Sequence, residues 1–401
     1  MQRRKYLGLS AGALATALAG CSDSTDESTP SGGSNSTSSA EETEGSTTAA
    51  EETETETETE QSQSYTVSMA PVGDVTFESV PETWLAYESG YADMGVALGQ
   101  TDGLLAVGNK ARYHTQYYDE IDGVSVDKGS LTQLMGDSFQ IDKELLYELD
   151  ADVHVVDPNW LVSGSSFGLE MADVEELREN VGPFIGNTIF RRTDSSWHDY
   201  EYYTMYEAFE KIAQVFDQRE RYEAFKSMHD DYVSSVQSEL PAESERPNAL
   251  LTFPASEDPN QPEEFYPYRL SDQGTNKKQF HDLGIQDALA DTGVSGLSTS
   301  ERGTVDYETM LEVDPDAILV RGHEDKSAEE FANTVLSFMQ QHSVASQLSA
   351  VQNEMVFRGG PIYQGPIQHL FTLERAATEF FPDTFEGELF DRSAVSDVVS
   401  N

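Results

Sequence analysis

Two distant stretches of this chain repeat one pattern, and that pattern restricts the fold more than any other feature. In Glu144 to Val156, apolar residues at helical spacing (Leu145, Leu146, Leu149) lead into Asp150-Ala151-Asp152 and then into Val153-His154-Val155-Val156. In Glu308 to Val320, Met310, Leu311 and Val313 lead into Asp314-Pro315-Asp316 and then into Ala317-Ile318-Leu319-Val320. Each copy predicts a helix, a tight acidic turn and a strand that is apolar on both faces. Such strands lie inside parallel sheets covered by helices. Two copies far apart predict two α/β lobes.

The rest of the chain fits around these units. Tyr65 to Met69 and Asp74 to Phe77 flank Pro71-Val72-Gly73 and predict a hairpin. Helices are predicted over Tyr91 to Leu98, Ala172 to Asn180, Lys277 to Ala290, Ala328 to Gln341 and Ile367 to Phe381. Strands are predicted over Leu104 to Gly108, Pro183 to Phe190, Asn248 to Phe253 and Met355 to Phe357. Between the two α/β regions runs a nearly unbroken helical pattern, Tyr203 to Leu240, stopped by Pro241. Phe225, His229, Tyr232, Val236 and Leu240 recur on one face of it. The predicted architecture is α/β: two Rossmann-like lobes, 65–202 and 241–401, each with a parallel-type sheet, joined by one long helical segment over 203–240.

Composition narrows the setting. The chain holds 73 acids and 24 bases, a formal −49. Residues from 65 onward keep 61 acids and 21 bases, a formal −40, so the charge belongs to the folded part. A surface of this kind does not bind a phosphate backbone, which needs clustered Lys and Arg. Like charges repel across a Debye length of about 10 Å at 0.1 M salt, and far less at about 3 Å in molar salt. The acidity predicts a halophilic protein. Cys21 is the one cysteine, which excludes an intrachain disulfide and any site needing several thiolates.

The first residues have their own logic. Arg3-Arg4-Lys5 precedes an apolar run from Leu7 to Gly20, which ends at Cys21. A charged start, an apolar middle and a small-residue cut site make an export signal over 1–20. The Arg3-Arg4 pair resembles a twin-arginine signal, and Leu18-Ala19-Gly20-Cys21 resembles a lipobox, which implies lipidation of Cys21. The apolar run is shorter than the about 20 residues of a comfortable membrane span. Residues 21–64 are rich in Ser, Thr, Glu and Gly and hold no aromatic or large aliphatic residue after Cys21. They predict a disordered acidic stalk.

Several steps of the chain resemble the iron-siderophore and vitamin B12 type of periplasmic binding proteins, the class III solute-binding proteins of ABC importers. Both repeated units resemble that family's helix-to-strand step. Val96 to Gly108 resembles its first helix-and-strand step, and Val351 to Phe357 a late one. Two departures stand out. The first unit lacks the family's proline at Asp150-Ala151-Asp152, and there is an insertion near Gly129 to Ser138. The resemblance covers residues 65–382. It implies a monomeric, lipid-anchored binding protein on the extracytoplasmic face of the membrane, with no enzymatic activity and no cofactor. Its ligand would be a ferric siderophore or similar iron(III) chelate, with a corrinoid as the alternative. A bare metal ion or a surface hydrolase is less favoured. It also implies small lobe closure on ligand, and an ABC permease dimer with a cytoplasmic ATPase as partner. The docking residues would be Glu144 and Glu308, one on each lobe.

Ligands of doubly wound sheets sit beyond the carboxyl ends of the strands. The residues just past the predicted strands are Lys110, Arg112 and Tyr113; Pro158, Asn159 and Trp160; Arg191 and Arg192; Tyr266, Tyr268 and Arg269; Arg321 and His323; and Arg358 and Tyr363. Arginine offers a planar fork to anionic oxygens and stacks on rings, which suits a conjugated anionic chelate. Each of these residues taken alone also fits ordinary packing or a surface ion pair. No histidine pair has the HExxH spacing of a zinc site, and His154 in its apolar strand reads as a core residue. A bare-metal site would need His114, His198 and His323 to meet. Ser163 to Gly168 lacks the G-x-S-x-G elbow, and there is no Gly-rich phosphate loop.

Overall fold

The computed structural model describes residues 64–136, 139–163, 167–191, 199–290, 292 and 303–400. The export signal, Cys21 and the stalk up to residue 63 lie outside these, as do Arg192, His198 and part of the Gly129 to Ser138 insertion. No described helix is long and apolar enough to cross a membrane.

The chain begins with a hairpin, β1 (Tyr65–Met69) and β2 (Gly73–Phe77), as the alternation predicts. Val67, Met69, Val75 and Phe77 are buried, while Thr66, Ser68, Asp74 and Thr76 face out. The first lobe then lays down β3 (Trp84–Ala86), α1 (Ser89–Ala97), β4 (Leu104–Val107), β5 (Thr132–Gln133), α2 (Lys143–Leu149), β6 (Val153–Val155), α3 (Pro158–Val162), α4 (Met171–Asn180) and β7 (Phe184–Ile185). Its sheet is wholly parallel, in the order β5-β4-β3-β6-β7. That is the 3-2-1-4-5 order of a doubly wound sheet, whose direction of winding reverses between β3 and β6. The sequence missed β3, the central strand. The predicted strand Pro183 to Phe190 is ladder-paired only over Phe184–Ile185.

Helices α5 (Met205–Val215) and α6 (Arg219–Glu239) follow. The predicted continuous helix is thus two. The chain breaks at Phe216 to Gln218, where Asp217 takes φ +51°. Phe216 is buried edge-on against Trp84 at 5.3 Å, so the apolar phase continues although the helix does not. α6 alone makes the long linking helix. Its 21 residues span about 30 Å, and Tyr222, Phe225, His229, Tyr232 and Val236 are its buried side.

The second lobe comprises β8 (Asn248–Pro254), β9 (Glu264–Tyr268), α7 (Lys278–Asp282), β10 (Gln286–Asp287), β11 (Val305–Asp306), α8 (Tyr307–Val313), β12 (Ala317–Val320), α9 (Ala328–Phe331), α10 (Ser337–Gln341), α11 (Ser349–Gln352), β13 (Val356–Arg358), α12 (Pro366–Phe380) and α13 (Arg392–Ser400). A π-turn over Ala332–Leu336 joins α9 to α10. The sheet runs β11-β9-β8-β12-β13 with β10 also on β8. β10, β8, β12 and β13 are parallel; β9 and β11 enter antiparallel. The helix predicted from Lys277 to Ala290 ends early. Gly284 at φ +64° turns the chain into β10.

The repeated units do equivalent work. α2 and α8 are N-capped by Asp142 and Asp306 and end at Asp150 and Asp314, both left-handed at φ +45° and +44°. The second turn aspartate pins the neighbouring strand in each lobe. Asp152 Oδ2 accepts from the Glu82 and Thr83 amides at 2.9 and 2.8 Å, just before β3. Asp316 Oδ2 accepts from the Asn248 amide at 3.0 Å, at the start of β8.

The lobes are also tied at the start of α12. Asp93 of α1 is fully buried, and its Oδ2 accepts from the Ile367 and Gln368 amides at 2.8 and 3.2 Å. Its Oδ1 accepts from Tyr118 Oη at 2.7 Å. A carboxylate there meets unpaired amides and the positive end of the helix dipole. The approach is close enough that a Cβ on Gly365 would lie 2.4 Å from Gly90 O. Burial pushes the Asp93 carboxyl up to about 7, while the Tyr118 hydroxyl and the two amides pull the other way. Glu379, buried within reach of Arg375 and Arg358, is likewise raised to about 7. From about pH 4 to about pH 7 these two carboxyls hold protons in the folded chain that they have released in the unfolded one, so their own contribution to stability slopes downward as pH rises. Buried His154 and His323, whose pKa values burial lowers, contribute a slope of the opposite sign. Asp93→Asn is expected to remove the Asp93 part of the downward contribution, so that stability plotted against pH turns more upward than in the parent across this window in denaturant titrations at several pH values. An unchanged slope would mean that Asp93 is ionised throughout.

Candidate functional site

The crevice of a doubly wound sheet opens where the winding reverses, here between β3 and β6. Tyr87 and Glu88 follow β3; Asp157 and Trp160 follow β6; Phe190 and Arg191 follow β7. Together they build one cluster. Tyr87 lies 6.3 Å from Trp160 and 5.5 Å from Phe167, and Trp160 lies 5.4 Å from Phe190. From the second lobe, past β13, Tyr363 enters the same cluster at 6.4 Å from Tyr87 and 4.9 Å from Phe190.

Two guanidinium groups are set among these rings. Arg191 sits over Phe190 at 5.0 Å and over Trp160 at 5.5 Å, and Arg112 over Tyr363 at 6.0 Å. Burial lowers the Arg191 pKa, and the like charge of Arg112 adds to this. Arg191 Nε is buried without a hydrogen-bond partner among the described residues. Glu88, 2 % exposed, faces Arg191 from the start of α1. Burial holds its carboxyl well above the usual range, Asp157 raises it further and Arg191 opposes.

The second lobe contributes more positive charge. Arg321, just past β12, donates through Nη2 to Asn276 O at 2.6 Å and lies over Tyr268 at 5.4 Å. Lys277, 4 % exposed, donates to Arg269 O at 3.1 Å. Burial lowers its pKa to about 7, with Arg321 and Arg191 lowering it and Asp272 and Asp287 raising it. The lobes meet here through the backbone, where the Thr275 amide donates to Ile189 O at 3.0 Å. The arrangement is a set of aromatic faces with four cations, Arg112, Arg191, Lys277 and Arg321. It is chemically suited to a flat or conjugated group with anionic oxygens.

The structure thus brings Arg112, Trp160, Arg191 and Tyr363 together, with Arg321 and Tyr268 alongside Lys277. It places the other predicted residues elsewhere. Tyr113 is turned into the core, its hydroxyl 3.1 Å from Tyr118 Oη. Arg269 is committed to Leu289 O at 2.9 Å. His323 is buried edge-on against Phe331 at 5.5 Å. Arg358 donates to Lys326 O and lines a pocket with Tyr117, Glu324 and Arg375. Tyr266 shares the β9 face of Tyr268, two residues earlier. His114 is 3.1 Å from Asp325 Oδ1, an inter-lobe pair. Sequence reasoning missed Tyr87, Glu88, Phe190 and Lys277. The first two follow the strand it did not find, and Lys277 was read as the start of a helix. Glu144 and Glu308 are both exposed, each the second residue of its helix, α2 and α8.

Fold and cleft together define a two-lobed binding protein. A model of the periplasmic binding protein family matches residues 85–363, and the chain belongs to that family, whose members are extracytoplasmic. The match begins within β3 and ends at Tyr363. No curated protein matches in a sequence search. Among solved structures, the chain is similar to PiuA, an iron-uptake ABC transporter substrate-binding protein of Streptococcus pneumoniae. Identity is 15%, covering 77% of this chain and 96% of that one, with a TM-score of 0.53. It is also similar to a protein of an ABC-type Fe3+-hydroxamate transport system from Saccharomonospora viridis (17% identity, 79% and 99% covered, TM-score 0.51). A third is YclQ, a petrobactin-binding protein of Bacillus subtilis (14%, 84% and 99%, TM-score 0.52). At these identities the likeness concerns the fold.

Proposed function

We propose that this protein is the lipid-anchored solute-binding component of an ABC importer, and that its ligand is an anionic iron(III) chelate of the siderophore class. The observation that carries the reading is the meeting of Arg112, Arg191, Lys277 and Arg321 with Tyr87, Trp160, Phe190 and Tyr363 at one crevice, in a chain of only 24 bases. The resemblances to iron-uptake proteins support it. An anionic chelate offers these guanidinium groups oxygens to bond, which an uncharged corrinoid body does not, and that favours the chelate. Membrane attachment through Cys21 belongs to the same proposal.

Trp160 lies inside the cluster and serves as its reporter. In molar salt, a ferric chelate with carboxylate, hydroxamate or catecholate groups is expected to quench its fluorescence saturably, and Trp160→Phe to remove that part of the signal. Saturable quenching by a corrinoid alone would reassign the ligand. Silence toward every chelate, in folded protein, would contradict the reading.

Glu144 and Glu308 are proposed as the contacts to a two-fold permease. Equivalent placement on equivalent units is what docking onto a two-fold partner requires. Glu144→Arg or Glu308→Arg is expected to abolish uptake and leave chelate affinity intact. Normal transport by both variants would make them ordinary surface acids.

A further inference from the structure

A second constellation lies beside the cleft, where the linking helix meets the second lobe and Thr275 lines both. His229 of α6, Asp282 of α7 and His369 of α12 each offer a ligand atom, all within 4.8 Å of one another. His229 is 4 % exposed and His369 is fully buried. The His229 and His369 rings are 5.5 Å apart, and His369 Nε2 is 2.8 Å from Asp282 Oδ2.

Three features mark this as more than a buried polar patch. First, His229 Nδ1 is 2.9 Å from Asp230 Oδ1, which fixes the tautomer with the proton on Nδ1 and the lone pair on Nε2. A carboxylate behind the ring is the usual support of a metal-ligating histidine. Second, His229 Nε2 is buried and has no partner among the described residues, nor have His369 Nδ1 and Tyr206 Oη close by. The Tyr206 ring packs on His229 at 4.0 Å. Buried orphan donors and acceptors are rare, and the unpartnered His229 Nε2 beside His369 and Asp282 calls for an occupant. Third, a pocket of about 390 Å³ reaches the site, lined by Tyr206, His229, Asp230, Lys278 and Asp282 among others. It shares no residue with the aromatic cluster of the cleft.

We infer that His229, Asp282 and His369 form a binding site for one divalent first-row transition ion of the zinc type. Two imidazoles and one carboxylate suit Zn2+, Co2+ or Ni2+, with the remaining position open toward the pocket. The competitor is internal. Lys278 Nζ sits 3.0 and 2.9 Å from the two Asp282 oxygens and must swing away for an ion to enter, and the direct His369 Nε2–Asp282 Oδ2 contact at 2.8 Å must open to admit it. The Lys278 side chain is 22% exposed, so it can reach water. The bound ion would pin α6 to α7 and α12, joining the linking helix to the second lobe. The inference does not depend on what the cleft binds.

The test uses the mature protein, stripped of metal and held in molar sodium chloride with excess Mg2+ to occupy surface acids. Co2+ is expected to bind at one site with visible d–d absorption and to raise the melting temperature. His229→Gln and His369→Gln are each expected to abolish the absorption, with folding confirmed by circular dichroism. Asp230→Asn, which touches the support and not the ion, is expected to weaken binding about 10- to 100-fold. Lys278→Met removes the competitor and is expected to tighten it, the opposite of what an adventitious surface site would show. Absence of Co2+ and Zn2+ binding at millimolar concentration, or binding unaffected by both histidine variants, would overturn the inference.

Discussion

Arg191→Met is expected to weaken binding of an anionic iron(III) chelate by roughly 30- to 5,000-fold, the about 2–5 kcal/mol lost when one partner of a buried charge pair is removed. The same variant is expected to melt no lower than the parent. Arg191 is buried among Phe190 and Trp160, its Nε has no partner among the described residues, and Glu88, which attracts it, is itself held toward the neutral form by burial, while Arg112 repels it. Such a group costs folding free energy, and an apolar side chain of similar length removes that cost. A residue that harms stability and serves binding is the signature of a functional site. Calorimetric titration and thermal melts on one sample decide the matter. Unchanged affinity with a lowered melting temperature would make Arg191 structural.

The second large effect concerns salt. Residues from 65 onward carry a formal −40. Dilution from molar to 0.1 M potassium chloride lengthens the Debye screening from about 3 to about 10 Å. The added repulsion is expected to cost several kcal/mol, comparable with a whole net stability of about 5–15 kcal/mol. The melting temperature should fall by roughly 10 °C or more. The same field repels an anionic ligand, so the association rate should fall on dilution as well. A melting temperature that is indifferent to salt would remove the halophilic interpretation.

How far the fold could be read depended on how much each element wrote into its own residues. α2–β6 and α8–β12 were legible because apolar spacing, acidic turn and apolar strand follow one another within each unit. The hairpin was legible from its alternation. β3 was not, because three residues, Trp84–Ala86, are too few to show a period, and its place is fixed by β4, β6 and Asp152 from elsewhere in the chain. Missing β3 hid the reversal of winding and with it Tyr87 and Glu88. The break at Asp217 was hidden because neither Gly nor Pro marks it, and Phe216 keeps the apolar phase. For the proposed site, position after a strand picked out Arg112, Trp160, Arg191, Arg321 and Tyr363, which the structure places near one another. Position alone does not say which way a side chain turns. That is why Tyr113, Arg269 and Arg358 were included although their polar atoms are committed within the protein.

The central claim is that an anionic chelate binds between the lobes against these cations. It is tested most directly by a crystal structure of the protein with a ferric chelate, grown in molar salt. The account predicts the chelate between Trp160 and Phe190 on one side and Arg321 and Tyr268 on the other, its oxygens within hydrogen-bond distance of Arg112 and Arg191. A chelate seated anywhere else, with these guanidinium groups still packed on their own rings, would contradict it.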